Sequence, residues 1–345
     1  MAETILGWDV GGANIKMARI DVDRPRAPAV VERAFPLWRE YDRLASVLAA
    51  MGASAGTATV MAVTMTAELA DCFATKREGV GFVVRAFETA FPTSALFIYG
   101  VDGRFRSSEQ VRHRPHDVAA ANWMATATLV ARAAPNALLI DVGSTTTDII
   151  PILNGRVASV GFTDPARLRV GELVYTGCLR TPVSAIVRSV PLHGGRCRVA
   201  AERFAITADV YRWLGAIAEA DYTCETPDGR GRSEAESGAR LARMVCADRE
   251  MLAAADITAI ADHVARTQTR QIAHGIRQVM RRLAAGPASG AVVAGSGVFL
   301  ARAAAETTGL AAHDLAEQLG ADAARAAPAA AVAWLLAELM MTSNE

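Results

Sequence analysis

The sequence lacks the features that mark membrane, secreted and nucleic-acid-binding proteins. Within its 345 residues, no apolar run reaches the roughly 18 residues that span a bilayer. The start of the chain has no basic segment followed by an apolar one, which a signal peptide would need. Basic and acidic residues number 36 each, so no net charge favours nucleic acid or a membrane surface. We therefore expect a cytoplasmic protein whose partners are small molecules, with no nucleic-acid and no membrane partner.

Motifs for disulfide, zinc and acyl-enzyme chemistry are missing as well. The five cysteines form no CxxC pair and are expected to be reduced. His113 and His116 do not have the spacing of zinc ligands, and no Gly-x-Ser-x-Gly segment occurs. Lysine is scarce, since only Lys16 and Lys76 occur among the 36 basic residues. Neither a zinc enzyme nor an acyl-enzyme mechanism is expected.

The sequence does contain one pattern twice, namely an apolar strand, an Asp, a small-residue turn and a second strand. The first copy spans residues 5–18 and contains Asp9, and the second spans 138–150 and contains Asp141. A third small-residue turn, Gly295-Ser296-Gly297, follows a late strand and precedes a helix. Repetition of one unit about one small domain apart predicts a duplicated fold with one site between the halves.

The order of strand and helix patterns predicts an α/β protein of two domains. The first block reads βββαβα and is assigned to residues 1–134. The second domain is assigned to residues 135–327, with a helical insert at about 207–285. A final helix at about 328–345 is expected to pack back on the first domain. A chain of this length fits two domains better than a single core.

The two repeated turns are suited to binding a phosphate or diphosphate group. Their glycines let the backbone align several N–H groups, which form a nest for anions. An Asp at the end of a buried strand suits Mg²⁺ or its water shell, so Asp9 and Asp141 are candidate metal ligands. One such turn alone would more often be a plain hairpin, so the argument depends on the repeat. The predicted diphosphate-binding residues are Gly11, Gly12, Ala13, Asn14, Lys16, Gly143, Ser144, Thr145, Thr146 and Thr147.

Together, the three turns resemble the phosphate-1, phosphate-2 and adenosine motifs of the actin–hexokinase–heat-shock-chaperone (ASKHA) superfamily. The resemblance implies two ribonuclease-H-like domains that face each other across a central cleft. Asp141–Asp148 is most similar to the hydantoinase/oxoprolinase branch. Val63–Phe73, Ala121–Ala125 and Gly171–Gly177 resemble a smaller family linked to tetrahydromethanopterin-dependent one-carbon metabolism. Archaeal members of that family look like a synthase of methanofuran biosynthesis.

This resemblance implies an alkyl transfer. The implied donor is (5-aminomethylfuran-3-yl)methyl diphosphate, and the acceptor is the phenol oxygen of a γ-glutamyl-tyramine or of a tyrosine-type phenol. The products are an ether, used in methanofuran or methylofuran biosynthesis, and diphosphate. The implied catalytic residues are Asp9, Asp141 and Glu68, with Mg²⁺ as the cofactor. The concentration of polar residues after the second turn makes Arg169, Glu172, Tyr175 and Thr176 either substrate contacts or part of a plain surface loop. Gly295, Ser296 and Gly297 would either contact the substrate or only let a helix approach a strand.

The sequence leaves several alternatives open. Ala13 and Ile15 stand where hydantoinase-type motifs usually carry hydroxyl residues, so ATP is the less favoured ligand. An ATP-dependent small-molecule kinase, a hydantoinase/oxoprolinase-type hydrolase and a non-catalytic nucleotide sensor are the other interpretations. Lys16 would either reach a phosphate or point to solvent. Glu68 would either be catalytic or interact with the N-terminus of a helix capped by Thr66. An oligomer is allowed, with no size specified.

Overall fold

The computed structural model of the protein describes residues 4–22, 28–56, 58–283 and 290–343. The strands in these ranges are β1 (Thr4–Val10), β2 (Asn14–Asp21), β3 (Ala29–Ala34), β4 (Val60–Met65), β5 (Ala95–Tyr99), β6 (Phe105–Arg106), β7 (Ala137–Val142), β8 (Thr147–Leu153), β9 (Arg156–Val157), β10 (Leu173–Val174), β11 (Ser189–Leu192), β12 (Gly195–Arg198), β13 (Gly290–Ala294) and β14 (Ala311–Asp314).

Helices fill most of the remaining chain. The α-helices are α1 (Leu37–Glu40), α2 (Leu44–Ser54), α3 (Lys76–Ala90), α4 (Ser108–His113), α5 (Asn122–Ala133), α6 (Asp164–Val170), α7 (Val183–Ile186), α8 (Thr207–Trp213), α9 (Glu234–Arg243), α10 (Ala254–Met280), α11 (Val298–Thr307), α12 (Leu315–Leu319), α13 (Ala321–Arg325) and α14 (Ala327–Ser343). Short 3₁₀ helices cover Tyr41–Arg43, Ala67–Leu69 and Pro115–Asp117. Across the described ranges, none of the helices is both long and apolar enough to traverse a bilayer.

The chain forms two compact units. The first unit contains Met1–Ala137, Ile150–Arg167 and Asp314–Glu345, and the second contains Leu138–Ile149 and Leu168–His313. These ranges differ from the predicted division at residue 134. Residues 150–167 and 314–327 belong to the first unit, although the sequence pattern grouped them with the second domain. The chain therefore returns to the first unit twice, whereas the sequence pattern predicted a return only for the final helix at about 328–345.

A six-stranded sheet in the order β3-β2-β1-β4-β5-β6 forms the centre of the first unit. β1 and β2 form an antiparallel hairpin, β3 pairs with β2, and β4 and β5 continue the sheet in parallel with β1. This topology is the predicted βββαβα arrangement. The parallel pairing matters for function because it brings the carboxyl ends of β1 and β4 to the same edge of the sheet.

The two faces of β1 pack against different helices. Trp8 belongs to the core on one face, where its ring lies 5.6 Å from the ring of Phe87 in α3. Gly7 lies on the opposite face, and a Cβ there would be 2.1 Å from the carbonyl oxygen of Ala329 in α14. The alanine-rich helix α14 can approach the sheet closely because both surfaces carry small side chains. It packs against β1, β2, β4 and α5.

The second unit has its own sheet, in the order β10-β8-β7-β13-β14, with β9 paired to β8. β13 runs parallel to β7, and β10 is antiparallel to β8. The long helix α10 contributes Ile272 and Ile276 to the core that covers this sheet. It also contributes Ile260 and Val264 to a second core formed with the neighbouring helices. A strand–turn–strand repeat in each of two sheets confirms the predicted duplicated α/β fold.

Candidate active site

The first turn, residues 11–14, joins β1 to β2 and exposes backbone N–H groups. The amide of Gly11 donates to the carbonyl oxygen of Asn14 at 2.9 Å, which closes the turn. The carbonyl oxygens of Gly12 and Ala13 accept from amides in the segment 35–37 at 3.0 and 2.9 Å. The amides of Gly12 and Ala13 have no hydrogen-bond partner among the residues that the structure describes. With its carbonyls occupied and these amides unoccupied, the turn is suited to an anion.

The second turn, residues 143–146, repeats this arrangement between β7 and β8. The amide of Gly143 donates to the carbonyl oxygen of Thr146 at 2.9 Å. The carbonyl oxygens of Gly143 and Ser144 accept from amides of residues 178–180 at 2.9 to 3.1 Å. Within the described part of the chain, the amides of Ser144, Thr145 and Thr146 have no partner. The sequence repeat is therefore also a repeat of hydrogen bonding, with more unoccupied donors in the second copy.

A buried loop at residues 176–181 supports the second turn from behind. A Cβ on Gly177 would lie 2.5 Å from the amide nitrogen of Thr145, so the close approach requires glycine. The hydroxyl of Thr147 donates to the carbonyl oxygen of Thr176 at 2.7 Å. The side-chain amide of Gln268 donates to the Thr176 hydroxyl and to the Gly177 carbonyl oxygen, both at 2.8 Å. Thr147 and Thr176, which the sequence placed in ligand binding, thus hold the turn in position.

Asp9 is half-buried near the end of β1, and one of its carboxylate oxygens is buried and unsatisfied. Its Oδ1 has no hydrogen-bond partner in the described residues, and the same holds for the hydroxyl of Thr64, its neighbour in β4. Burial raises the pKa of Asp9 from 3.8 to about 6, against the opposing effect of Lys16 across the strand pair. Two unsatisfied oxygens side by side at the end of parallel strands favour a cation or a hydrogen-bond donor from a ligand.

Lys16 does not point into solvent and is held by the protein itself. Its Nζ donates to the carbonyl oxygen of Arg325 at 2.8 Å and lies 3.9 Å from Oε1 of Glu32. The contact of Lys16 with a phosphate group stays a prediction. The observed bonds link the β1–β2 hairpin to the C-terminal segment of the first unit.

The third predicted motif lies directly against Asp141. Gly295 has a φ of +89°, and a Cβ there would be 2.3 Å from Oδ1 of Asp141. The amide of Gly297 donates to the carbonyl oxygen of Val142 at 2.8 Å. The side chain of Ser296 is exposed between the two glycines. The Gly-Ser-Gly turn therefore forms one wall beside Asp141, and larger residues at either glycine would push it away.

Glu68 lies in a single 3₁₀ turn rather than at the start of an α-helix. Thr66 precedes this turn, but its side chain makes no capping hydrogen bond, so the predicted N-cap is wrong. The amide of Thr66 instead donates to the carbonyl oxygen of Val10 at 2.9 Å, which ties the turn to the end of β1. A Cβ on Gly79 in α3 would be 2.2 Å from the carbonyl oxygen of Glu68. This close approach places the 3₁₀ turn directly against α3.

Two charged groups surround the carboxylate of Glu68, whose residue is only 1% exposed. Its Oε1 lies 3.3 Å from Nζ of Lys76, which is also 2.5 Å from Oδ2 of Asp164. Its Oε2 is buried without a hydrogen-bond partner among the described residues. Burial raises the pKa of Glu68, and the ammonium group of Lys76 opposes this effect. Lys76 and Asp164 were not predicted as site residues, although the scarcity of lysine was a usable signal.

The other predicted substrate contacts divide into buried and exposed residues. Glu172 is fully buried and forms an ion pair with Arg282 at 2.9 Å. Arg169 is exposed, and its carbonyl oxygen accepts a hydrogen bond from α10. Tyr175 is 67% exposed and does not belong to the core. Arg169 and Tyr175 are therefore accessible to a ligand, whereas Glu172 has a partner inside the protein.

The donor set suits a magnesium ion bound together with a substrate better than a metal site made by protein alone. No group of three or more His, Cys, Asp or Glu side chains in the described ranges is placed to hold a metal. Mg²⁺ needs only one or two carboxylates when phosphate oxygens and water complete its shell. The unsatisfied Oδ1 of Asp9 is an oxygen ligand of the required kind. The residues thus fit the expected ion.

Comparisons with known proteins agree on the family. The profile of the hydantoinase/oxoprolinase family matches residues 59–339. A (4-{4-[2-(gamma-L-glutamylamino)ethyl]phenoxymethyl}furan-2-yl)methanamine synthase of Methanocaldococcus jannaschii is 42% identical over 249 residues, 72% of this chain and 73% of the relative. The synthase of the same name from Methanococcus vannielii is 43% identical over 119 residues, 34% of this chain and 53% of the relative.

One solved structure supports the fold. Nucleotide-free acetone carboxylase, from a study of ATP-dependent acetone carboxylation, aligns with a TM-score of 0.52. The alignment covers 90% of this chain and 68% of the carboxylase chain, at 10% sequence identity. At this identity the similarity concerns the arrangement of strands and helices and carries no information about the substrate.

Proposed function

The chain belongs to the hydantoinase/oxoprolinase family, and we propose that within it the protein is a transferase that forms a furanylmethyl phenyl ether. The observation that carries this proposal is the 42% identity over 249 residues to a synthase named for such a product. The name describes a phenoxymethyl-furan with an aminomethyl group and a γ-glutamylaminoethyl arm. A γ-glutamyl-tyramine and a furanylmethyl diphosphate are the reactants that give this skeleton, and a tyrosine-type phenol would give the same ether with an additional carboxylate on the arm. The product belongs to methanofuran or methylofuran biosynthesis.

The reaction forms one carbon–oxygen bond and breaks another. The phenol oxygen attacks the methylene carbon of (5-aminomethylfuran-3-yl)methyl diphosphate, and diphosphate departs with the bonding electrons. The furan ring stabilises positive charge on the methylene carbon, so the main demand is stabilisation of the leaving diphosphate. Backbone N–H groups that are already aligned do this without reorganising when charge develops.

The two turns supply such donors. We propose that the unoccupied amides of Gly12 and Ala13 in the first turn, and those of Ser144, Thr145 and Thr146 in the second, each bind phosphate-type oxygens. The hydroxyls of the second turn would add donors. Those of Ser144 and Thr145 lie 3.4 Å apart, on neighbouring residues of the turn. In each turn, neighbouring amides already occupy the carbonyl oxygens, which leaves the turn amides as the groups that face a ligand.

Mg²⁺ is proposed as the cofactor, with the carboxylates of Asp9 and Asp141 as its protein ligands. When bound, the ion would neutralise part of the diphosphate charge. Asp9 needs no rearrangement for this role because its Oδ1 has no other partner in the described residues. Ser296, exposed beside Asp141, and the accessible side chains of Arg169 and Tyr175 are proposed to contact the substrates.

The proposal is tested by incubating the protein with both substrates and Mg²⁺ in the absence of nucleotide. We expect the ether and diphosphate to form in equal amounts, and EDTA to suppress both. Asp141→Asn should lower kcat/KM by roughly 100-fold, as expected when stabilisation of the leaving group is lost. Asp262→Asn, which changes an exposed aspartate on α10, is the matched control and should retain full activity. Product that forms only when ATP is added, or no product from folded protein, would contradict the proposal.

A further inference from the structure

The cluster formed by Glu68, Lys76 and Asp164, hereafter the carboxylate–lysine triad, lies wholly in the first unit. It contains one of only two lysines in the chain. Nζ of Lys76 lies between the two carboxylates, 2.5 Å from Asp164 Oδ2 and 3.3 Å from Glu68 Oε1. One carboxylate oxygen, Glu68 Oε2, takes no part in the triad and has no partner among the described residues. Because buried polar atoms are nearly always hydrogen-bonded, this oxygen is suited to accept a hydrogen bond from a ligand.

We propose that Glu68 Oε2 accepts the proton of the phenol acceptor, and that Lys76 and Asp164 position Glu68 for this step. The inference rests on the ether synthesis proposed above and assigns the proton acceptor for it. In the complete step, the phenol oxygen bonds to the methylene carbon and loses its proton to Glu68. The carbon–oxygen bond to diphosphate breaks, diphosphate takes the electron pair, and Glu68 later releases the proton to water.

The position of Glu68 supports this role. Its 3₁₀ turn is bonded to Val10 through the Thr66 amide, one residue before the first turn begins. The backbone of Glu68 is pressed against Gly79 of α3, so the turn cannot shift toward the helix. The 3₁₀ turn that carries Glu68 is thereby tied to the strand that leads into the first turn, and of the two carboxylate oxygens only Oε1 has a partner among the described residues.

The electrostatics of the triad also suit a base. The charged groups that face Glu68 are Lys76 from α3 and Asp164 from α6. Burial raises the pKa of Glu68, Lys76 acts against this, and Asp164 adds to it. A carboxylate with a raised pKa is a stronger proton acceptor than an exposed one, provided that it stays ionised at the working pH. Lys76 favours the ionised form of Glu68, and Asp164 shares the ammonium group of Lys76 with it.

The triad predicts opposite effects for two substitutions on the acid limb of the pH profile of kcat/KM. Lys76→Met removes the cation, so the limb should move to higher pH by about one unit. Asp164→Asn removes the second carboxylate, so Lys76 interacts with Glu68 only. The pKa of Glu68 should then fall, and the limb should move to lower pH. Glu68→Gln should lower kcat by roughly 100-fold or more with KM retained, as expected for loss of a general base. Arg77→Met, an exposed cation on the same helix turn, is the control and should leave the profile unchanged.

Thermal unfolding of each variant identifies any that fails to fold. If Lys76→Met does not fold, Asp164→Asn and Glu68→Gln together still test the inference. If the wild type is active but Asp164→Asn does not shift the acid limb, or if Glu68→Gln keeps the wild-type kcat, the inference is wrong and the proposed function still stands. A folded wild type that makes no ether overturns the proposed function, and the inference with it. A triad that only stabilises the fold would not shift the acid limb of kcat/KM in opposite directions, because a loss of stability does not depend on the sign of the charge removed.

Discussion

Among single residues, the two lysines show where pattern and structure diverge. Lys16 follows the first turn and was expected to reach a phosphate or to point to solvent; its Nζ donates to the carbonyl oxygen of Arg325, more than 300 positions away. Lys76 was not assigned, yet it is held between two carboxylates. Both outcomes depend on residues remote in sequence, and no local pattern reports them. Asp9, in contrast, was predictable because an acid at the end of a buried strand is unusual in itself.

Asp9→Asn tests the buried carboxylate through stability. Because the folded-state pKa is about 6 and the ordinary value is 3.8, the protonated form is favoured in the folded protein. Its contribution to stability is complete below about pH 4 and is lost as pH rises through about 6. Asn does not titrate, so the free energy of unfolding of the variant relative to wild type should increase by up to about 3 kcal/mol between pH 4 and 7.5.

Urea unfolding at several pH values, in EDTA to exclude metal, measures this difference. An Asp42→Asn variant, which changes an exposed aspartate, should show a difference that does not depend on pH. A difference that shrank with rising pH would mean that Asp9 is stabilised as the anion by groups other than those described.

Among elements, the strands and turns were predictable from sequence, whereas the long-range contacts that hold the turns in position were not. The alternation of apolar residues and the Asp-x-Gly turns are local signals, and they located β1, β2, β7 and β8. The turn at Glu68 was taken for a helix start, because hydroxyl and acidic residues give the same signal in both. The contact between Gln268 and Thr176 joins positions 92 residues apart, and a glutamine in a helical pattern gives no sign of it.

Gln268→Leu tests whether α10 controls the second turn. The substitution removes the bonds to Thr176 and Gly177 and leaves the hydroxyl of Tyr211, now bonded to Gln268 at 2.7 Å, without a partner. We expect stability to fall by about 1–3 kcal/mol, the usual cost of an unsatisfied buried group. We also expect kcat/KM to fall by roughly 100-fold, since small displacements of a binding group have that effect.

The comparison variant is Gln271→Leu on the same helix, whose side-chain amide donates to the carbonyl oxygen of Ile186 away from the turn. It should lose some stability and keep wild-type kinetics. If Gln268→Leu lost stability alone, α10 would serve the fold and not the site.

For the whole molecule, duplication was readable from sequence because both copies keep the same local pattern. The structure adds that both turns close with the same hydrogen bond, at 2.9 Å in each. The return of residues 150–167 and 314–343 to the first unit was only partly foreseen, since α14 alone was expected to pack there. Segments that cross between units leave no break in composition, so ranges read from sequence are least reliable at these crossings.

The central claim is that the chain transfers a furanylmethyl carbon to a phenol oxygen. The most direct measurement uses an acceptor whose phenol oxygen is ¹⁸O and follows the label by mass spectrometry in a reaction without nucleotide. Attack by the phenol on carbon predicts that the ether keeps the ¹⁸O and that the released diphosphate carries none. Label recovered in a phosphorylated phenol, or an unlabelled ether, would contradict alkyl transfer.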